Sequence, residues 1–548
     1  MDIPVIHKNW LKAGLIMTII NLLSTCLLGN YYEAYESISS AFISGIYTEP
    51  SLRDWDIDVQ FLFTSVYTAL NKIVPHIQLY GLVLVFSTWL SLYVLGYALF
   101  NTLLFFRVKY PVFVFALMYM LLAPDQLMNL ATNRIVLFMF AGLLLHYELS
   151  GIKGEKVSVW LRIIAGILFF WICQMRFEMV FLCSVFYLAV LWAFKKIHIR
   201  SWIPLLYSSA IFILYLSLIS CCTTEGRKTF FFKEKQFMDR KDVRPDISAE
   251  QALEIRAFTD HQLMDEELFT RKFYDALAEP DARFSGLQLF KGVGSRSFLA
   301  AFRYTLPKIM DIWFLLAGCL VVFGMILAFT RLDKLRLTAC FLFLFVFPAL
   351  LNFYVMVPSR FMVPYYALFF VLNTLLLLCN KPVFVKWLLP VFAGMLLLKL
   401  KLTLPESRNY KAADKLYTAT MNNIDKYFGG SGTDSKVVVA NIDPNRFLPP
   451  NPYSAIQKRD ILFMNYYYFA VYQGYLEGWR KACHCNALSL RNKTDYVVRN
   501  NCRLVISDAN LDFYKTYMQE KYELGLETKK LRAFDNELNI YRVNYTAP

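Results

Sequence analysis

The sequence predicts a polytopic α-helical membrane protein of about eleven transmembrane helices, ending in a small extracytoplasmic C-terminal α/β domain. Three observations predict it. The 548 residues are 57% hydrophobic and only 18% charged, whereas soluble domains carry about a quarter charged residues. Apolar runs recur near the ~20 residues that a helix needs to cross a bilayer. Basic clusters fall in alternate connections between those runs, as they do in cytoplasmic loops.

The runs lie at 10–28, 77–106, 110–123, 134–149, 161–175, 177–194, 202–221, 311–330, 336–356, 361–379 and 383–400. The first lacks a small-residue cleavage site and is followed by further runs, so it reads as a retained helix and not a signal peptide. The basic clusters are His7/Lys8/Lys12, Arg107/Lys109, Lys153/Lys156/Arg162, Lys195/Lys196/Arg200, Arg331/Lys334/Arg336 and Lys381/Lys386. A cytoplasmic N-terminus puts every one of them in the cytoplasm. The net charge of +15 is then largely topological, and no nucleic-acid partner is needed to account for it.

Residues 1–400 therefore read as a membrane module and 401–548 as an outer domain. The outer face receives 29–76, the short 124–133, a turn near Arg176, the long 222–310, and "VPSR" at 357–360. In the tail, "KVVVANI" and "RLVIS" read as buried strands and "LNIYRV" as a last strand. "DANLDFYKTYMQEKYE" reads as a helix opened by an Asp cap, and "GGSGTDS" (429–435) as the domain's entrance.

Several function classes find no support. No internal repeat is visible, and no pair of Gly/Pro-broken spans recurs in two halves, as secondary transporters would show. Walker, HExxH and EF-hand patterns are absent, and the six histidines are scattered. Of the eleven cysteines, eight lie in or at the ends of spans, where a small apolar residue is the ordinary reading. Cys483, Cys485 and Cys502 lie in the tail, where an oxidising compartment favours a disulfide from Cys502 to Cys483 or Cys485. The "CHC" run with Cys502 is alternatively a zinc ligand set, although it lacks the usual two-residue spacing.

The candidate chemistry lies at the outer span ends. "NYYEAYESISSAFISG" (30–45) follows the first run and holds Glu33 and Glu36, which share one face if the stretch is helical. "RDWDID" adds Asp54, Asp56 and Asp58. Each carboxylate also reads as solvation of an interfacial helix. Arg176 and Glu178 interrupt the apolar run 161–194 in "QMRFE". Charges at such depth usually face a bundle interior or a wet cavity, and an Arg fork suits phosphate. A headgroup contact at the turn is the alternative. Arg360 sits where an outer loop re-enters the membrane, as a phosphate clamp or a snorkelling side chain. Arg240, with Lys228, Lys233 and Arg244, belongs to a mixed-charge loop beside a Phe triplet.

The segments "YESISSAFISGIYTEP" and "VYTALNKIVPHIQLYG", between the first two spans of a chain with an outer C-terminal domain, resemble the GT-C class of integral-membrane glycosyltransferases. That class includes oligosaccharyltransferases, protein O-mannosyltransferases and lipid A aminoarabinose transferases. The similarity is nearest to polytopic bacterial members, which carry an acidic pair after the first helix. Here Tyr35-Glu36 stands in place of that pair, and Glu49 in place of the usual Gly before Pro. The resemblance implies a bacterial inner-membrane enzyme that moves a sugar from a polyprenyl-phosphate donor to a glycan, lipid or protein acceptor on the extracytoplasmic face. It implies an acceptor-orienting carboxylate, which register assigns to Glu36, with Glu33, Asp54 and Asp56 as further candidates. It also implies a phosphate clamp, for which Arg176, Glu178, Arg360 and Arg240 are the candidate substrate-binding residues, with a divalent metal as an alternative source of positive charge. A non-catalytic scaffold subunit of an envelope complex and a lipid-linked glycan transporter are the readings from other classes.

Overall fold

The computed structural model describes residues 3–32, 66–67, 69–71, 73–74, 77–153, 158–195, 202–222, 306, 310–351, 359–428, 437–439, 446–454, 461–463, 479, 481–484 and 490–546. Helices form on the apolar runs: α1 (Ile3–Leu28), α2 (Leu79–Phe105), α3 (Pro111–Met128), α4 (Thr132–Lys153), α5 (Val159–Ala193), α6 (Ile203–Cys222), α7 (Trp313–Phe329), α8 (Lys334–Leu351), α9 (Ser359–Asn380) and α10 (Val385–Phe428). Among the described residues, seven helices are long and apolar enough to cross a membrane, and Met179–Ala193 and Trp313–Phe329 are shorter apolar helices. Backbone polar groups have no partner in hydrocarbon, so helices are the form such runs must take. The chain is a membrane-embedded helical protein.

α1 packs on α3 and α2, α2 packs most closely on α4, and α7 packs on α9. The α2–α4 contact needs Gly142, because a Cβ there would lie 2.7 Å from the backbone nitrogen of Leu95. A small residue allows this backbone approach, the usual means of tight helix packing in a membrane. Leu11, Leu15, Leu22 and Leu27 of α1 are exposed, whereas Ala13 and Met17 are fully buried. One face of α1 therefore meets the bundle and the other is left for lipid.

α5 is two arms, not one rod. Its backbone leaves helical geometry at Arg176 (φ −161°, ψ 89°). Phe169 packs on Phe140 of α4 with ring centroids 5.9 Å apart, and Tyr187 donates to Glu148 Oε1 at 2.6 Å. A straight helix would carry Tyr187 about 27 Å beyond Phe169, away from Glu148. Both contacts hold only if the chain folds back at Arg176, as the sequence predicts from its lone "QMRFE" interruption.

α10 continues well past residue 400 despite Pro390 and Pro405, so the tail begins as an extension of the last helix. Beyond it, β3 (Val437–Val439), β4 (Ile461–Phe463), β5 (Arg503–Ile506), β6 (Leu526–Ala533) and β7 (Asn539–Tyr545) form one sheet in the order β4-β3-β5-β7-β6. β3 pairs parallel with β4 and β5, and β7 pairs antiparallel with β5 and β6. The segments "KVVVANI", "RLVIS" and "LNIYRV" fall on β3, β5 and β7. α11 (Leu490–Arg499) and α12 (Asp508–Tyr522) supply Val497, Tyr514 and Met518 to a core shared with Val438, Leu504 and Trp479.

One expectation about the tail is corrected. The cap of α12 is Ser507, whose side chain accepts from Asn510 N at 3.3 Å. Asp508 is the first helical residue and instead accepts from Asn539 Nδ2 at 2.6 Å and from the Tyr541 hydroxyl. Cys502 is buried in the core behind the sheet, and the Cys483 thiol faces Asn492 O. Cys485 lies outside the described residues, as does the segment 429–435.

Candidate functional site: a polar junction at one end of the bundle

α1 ends at Gly29, which adopts φ +87° and donates its N–H to Thr25 O at 2.9 Å. Gly takes this left-handed conformation without strain. The last carbonyls of a helix have no partner of their own, and here α10 provides two. Ser407 Oγ donates to Leu28 O and Lys411 Nζ to Leu27 O, each at 2.9 Å.

The chain then forms β1 (Tyr31–Tyr32), parallel to β2 (Asn129–Leu130), which follows α3. Asn30 donates to Leu127 O at 2.6 Å. Tyr31 stacks on Tyr410 of α10, with centroids 5.0 Å apart and planes 9° off parallel.

The loop 446–454 docks on this platform. Tyr32 N donates to Pro450 O at 2.9 Å, and Tyr32 OH donates to Gln78 Oε1 at 2.7 Å. Gln78 Nε2 in turn donates to Ser454 O at 2.6 Å, and Tyr453 OH donates to Asn30 Oδ1 at 3.1 Å. Asn451 closes the ring by donating to Asp414 Oδ1 at 2.8 Å. Every partner is fixed by at least one neighbour, so the junction is preorganised.

A cleft of about 600 Å³ opens between the end of α1, the outer part of α10 and this loop. Asp414, Tyr417, Thr418, Met421, Asn422 and Asp425 form its α10 wall. Their spacing of three and four residues places them on one helical face. Tyr31, Asn30, Asn451 and Tyr453 form the opposite wall. Burial and the nearby Asp414 carboxylate push the Tyr31 phenol above its ordinary range, and burial does the same to Tyr453. Both hydroxyls therefore stay protonated as donors at neutral pH.

Behind the platform lies a buried charged cluster. Arg134 Nη1 meets Asp125 Oδ2 at 2.8 Å, with both side chains under a tenth exposed. Asn129 donates to Asp125 Oδ1 at 3.1 Å. Lys399, also buried, donates to Leu121 O. One carboxylate thus sits among two cations. Gln126, fully buried, has no hydrogen-bond partner for either amide atom among the described residues.

The residues expected from sequence fall unevenly on this geometry. Glu33, Glu36, Asp54, Asp56, Asp58 and Arg240 lie outside the described residues. Arg176 is half-buried at the bend of α5 and does not line the cleft. Glu178 follows the bend, and Arg360 is the second residue of α9.

The cluster Asp125–Arg134–Lys399 and the α10 wall were not singled out from sequence. Ionisable residues within or at the end of apolar runs, as Lys399 is, were the available signal for the first. The polar period of "DKLYTATMNNID" was the signal for the second. Among the described residues, no group of three His, Cys, Asp or Glu side chains is placed to hold a metal ion.

No family model, curated protein or solved structure matches this chain.

Proposed function

We propose that the protein is a GT-C-type glycosyltransferase that moves a sugar from a polyprenyl-phosphate donor to an acceptor at the extracytoplasmic membrane surface. In this reading the chain crosses the membrane eleven times from a cytoplasmic N-terminus, and the cleft and the C-terminal α/β unit lie outside. The observation that carries it is the exit of the first outer loop from the edge of the polar cleft. Tyr31 lines that cleft and Tyr32 is pinned to the 446–454 loop. Glu36 follows four residues later, so its Cα stays within about 14 Å of that of Tyr32 in any conformation.

In the proposed reaction the acceptor hydroxyl attacks the anomeric carbon. The bond from that carbon to the phosphate oxygen breaks, and polyprenyl phosphate leaves with the electron pair. The hydroxyl proton passes to a carboxylate, which we assign to Glu36. Cationic side chains stabilise the departing phosphate, a role we assign to Arg176 and Arg360. Asp125 is not offered as the base, because Arg134 and Asn129 already occupy it.

The test is turnover. Purified protein in nanodiscs, given polyprenyl-phosphate sugars and candidate acceptors, should release polyprenyl phosphate and form a glycosidic product. Glu36→Gln should lower that rate about a hundredfold or more while membrane insertion and thermal stability survive. Loss in Asp54→Asn or Asp56→Asn with normal Glu36→Gln would move the base to the "RDWDID" segment. No turnover with any donor would leave the scaffold and transporter readings instead.

A further inference from the structure

We infer that the apolar cavity among α4, α5, α8 and α9 holds an acyl chain of an anionic phospholipid, whose phosphate lies on the basic connections at the cavity's mouth. The cavity, about 580 Å³ in volume, is long in the direction of the helices. Its α9 wall runs from Tyr365 through Leu372 to Asn380, and its α4 wall from Leu137 through Leu144 to Ile152. Each stretch of helix rises about 22 Å. One leaflet supplies only half of a ~30 Å hydrocarbon core, so a lipid chain can lie at full length between these walls.

The lining calls for hydrocarbon. Its side chains that carry oxygen or nitrogen already make hydrogen bonds within the protein. Thr102 donates to Ala98 O at 2.7 Å, Asn373 to Phe369 O at 2.7 Å and Asn380 to Leu376 O at 2.8 Å. Tyr365 donates to Leu344 O at 2.8 Å, and Tyr187 donates to Glu148. Phe and Leu side chains make up most of the remaining wall. Protein interiors are close-packed, and an apolar space left empty forfeits dispersion contacts that a lipid chain restores.

The mouth supplies the charge. Phe106, Ile152, Phe194, Leu332 and Asn380 line the cavity, and each stands at or just beyond the last turn of α2, α4, α5, α7 or α9. The connections that follow carry Arg107, Lys109, Lys195, Arg331 and Lys381, all exposed. Asp333 is the acid of these connections among the described residues, and two cations share it, Lys195 at 3.5 Å and Arg336 at 3.6 Å. Even with Glu148 counted, cations outnumber carboxylates at this end. Basic pockets between transmembrane helices attract anionic headgroups, and each Lys or Arg near the surface adds to the attraction. Arg331 and Arg107 also offer the planar fork that suits a phosphate. Apolar length and basic mouth together specify one ligand, a phospholipid of net negative charge.

The inference does not rest on the transferase reading. A sugar donor would bring its phosphate to the polar cleft, whereas this lipid holds its phosphate at the other end of the bundle.

The experiment is photolabelling of the full chain in phosphatidylcholine nanodiscs. Phosphatidylglycerol or phosphatidylcholine is added with the same diazirine in mid-chain, and labelled residues are mapped by mass spectrometry. Phosphatidylglycerol should label Leu144, Val190 and Leu372 of the cavity at least about tenfold more than phosphatidylcholine does. Leu15 and Leu22, on the exposed face of α1, report bulk lipid and should take both probes equally. The double variant Arg331→Glu/Lys381→Glu should lower cavity labelling by phosphatidylglycerol about tenfold or more, with thermal melting and α1 labelling unchanged. Leu372→Trp fills the cavity and should lower labelling there by both probes. If that variant fails to fold, the exposed double variant still decides.

Equal cavity labelling by the two probes, label confined to the α1 face, or a preference that survives Arg331→Glu/Lys381→Glu would overturn the inference. Stronger cavity labelling by a phosphatidylethanolamine or polyprenyl-phosphate probe would overturn it as well.

Discussion

Two cavities of nearly equal volume sit toward opposite ends of the helix bundle, and their linings are opposite in character. The cleft at the α1 exit holds about 600 Å³ and is walled by tyrosines, amides and carboxylates. The second, about 580 Å³, lies among α4, α5, α8 and α9 and is walled by Phe140, Phe186, Phe341 and Leu344, with Glu148 as its lone carboxylate among the described residues. It reaches Phe106, Phe194 and Leu332, which neighbour the basic connections at Arg107, Lys195 and Arg331. Volume is shared and chemistry is not. One cavity suits a hydroxylated ligand, and the other suits hydrocarbon.

The difference extends to what holds each end together. At the polar end, hydrogen bonds and a buried ion pair tie five chain segments that are distant in sequence. At the apolar end, stacked rings do that work, such as Phe323 on Phe341 at 3.7 Å between centroids. Directional bonds preorganise groups at fixed distances, whereas apolar packing tolerates re-arrangement of similar volumes. The proposed chemistry belongs at the end with the directional bonds.

The largest expected effect comes from breaking the ion pair behind the polar end. Arg134→Ala alone should cost about 3–5 kcal/mol by stranding Asp125 in a buried site. The double variant Asp125→Ala/Arg134→Ala should cost less than the sum of the single changes. Thermal unfolding in detergent measures all three, and simple additivity would mean that the two side chains do not act as a pair.

Next comes the tether of the 446–454 loop. Gln78→Ala removes the acceptor of Tyr32 and a donor to Ser454, for about 1–3 kcal/mol. Hydrogen exchange should rise in residues 446–454 and stay unchanged at the apolar cavity. Faster exchange at both ends would erase the contrast between them.

At the apolar end, Tyr187→Phe deletes one hydrogen bond to Glu148 and should cost only about 0.5–1.5 kcal/mol. A larger loss would mean that Glu148 organises its cavity as tightly as Gln78 organises the junction.

The smallest effect is a pH dependence in the tail. Hydrogen bonds from Tyr541, then Asn539, hold the Asp508 carboxyl below its ordinary range. A lowered folded value means that its stabilisation is complete above the ordinary carboxylate range, near pH 4, and is lost as pH falls through the lowered value. Asp508→Asn should flatten that acid limb, read as hydrogen exchange in α12 from pH 5 downward. An unchanged limb would assign it to other carboxylates. Tyr541, raised to about 12 first by burial and then by Asp508, does not titrate in that window.

The helices were legible because long apolar runs leave the backbone no other way to pair in lipid. The bend at Arg176 was legible because one polar pentapeptide broke such a run. The tail was read only in part. β3, β5 and β7 carry buried apolar residues, but β6 is "LETKKLRA" and mostly exposed, so its pairing with β7, not its own pattern, makes it a strand. The cap of α12 was misplaced by one residue because Ser507 and Asp508 are both good capping types, and only the Ser507 contact to Asn510 decides. The cleft was not legible as a unit. Tyr31, Asp414 and Tyr453 are far apart in sequence, and it takes the β1–β2 pair and the Gln78 bridge to bring their walls together.

The proposed function requires the two ends to face opposite sides of the membrane, and paired topology reporters test that directly. In the proposed reading, fusions that join a compartment-sensitive reporter after Lys196 and after Gly429 should report the cytoplasm and the extracytoplasmic space respectively. The same compartment for both fusions, or the reverse assignment, would contradict the account.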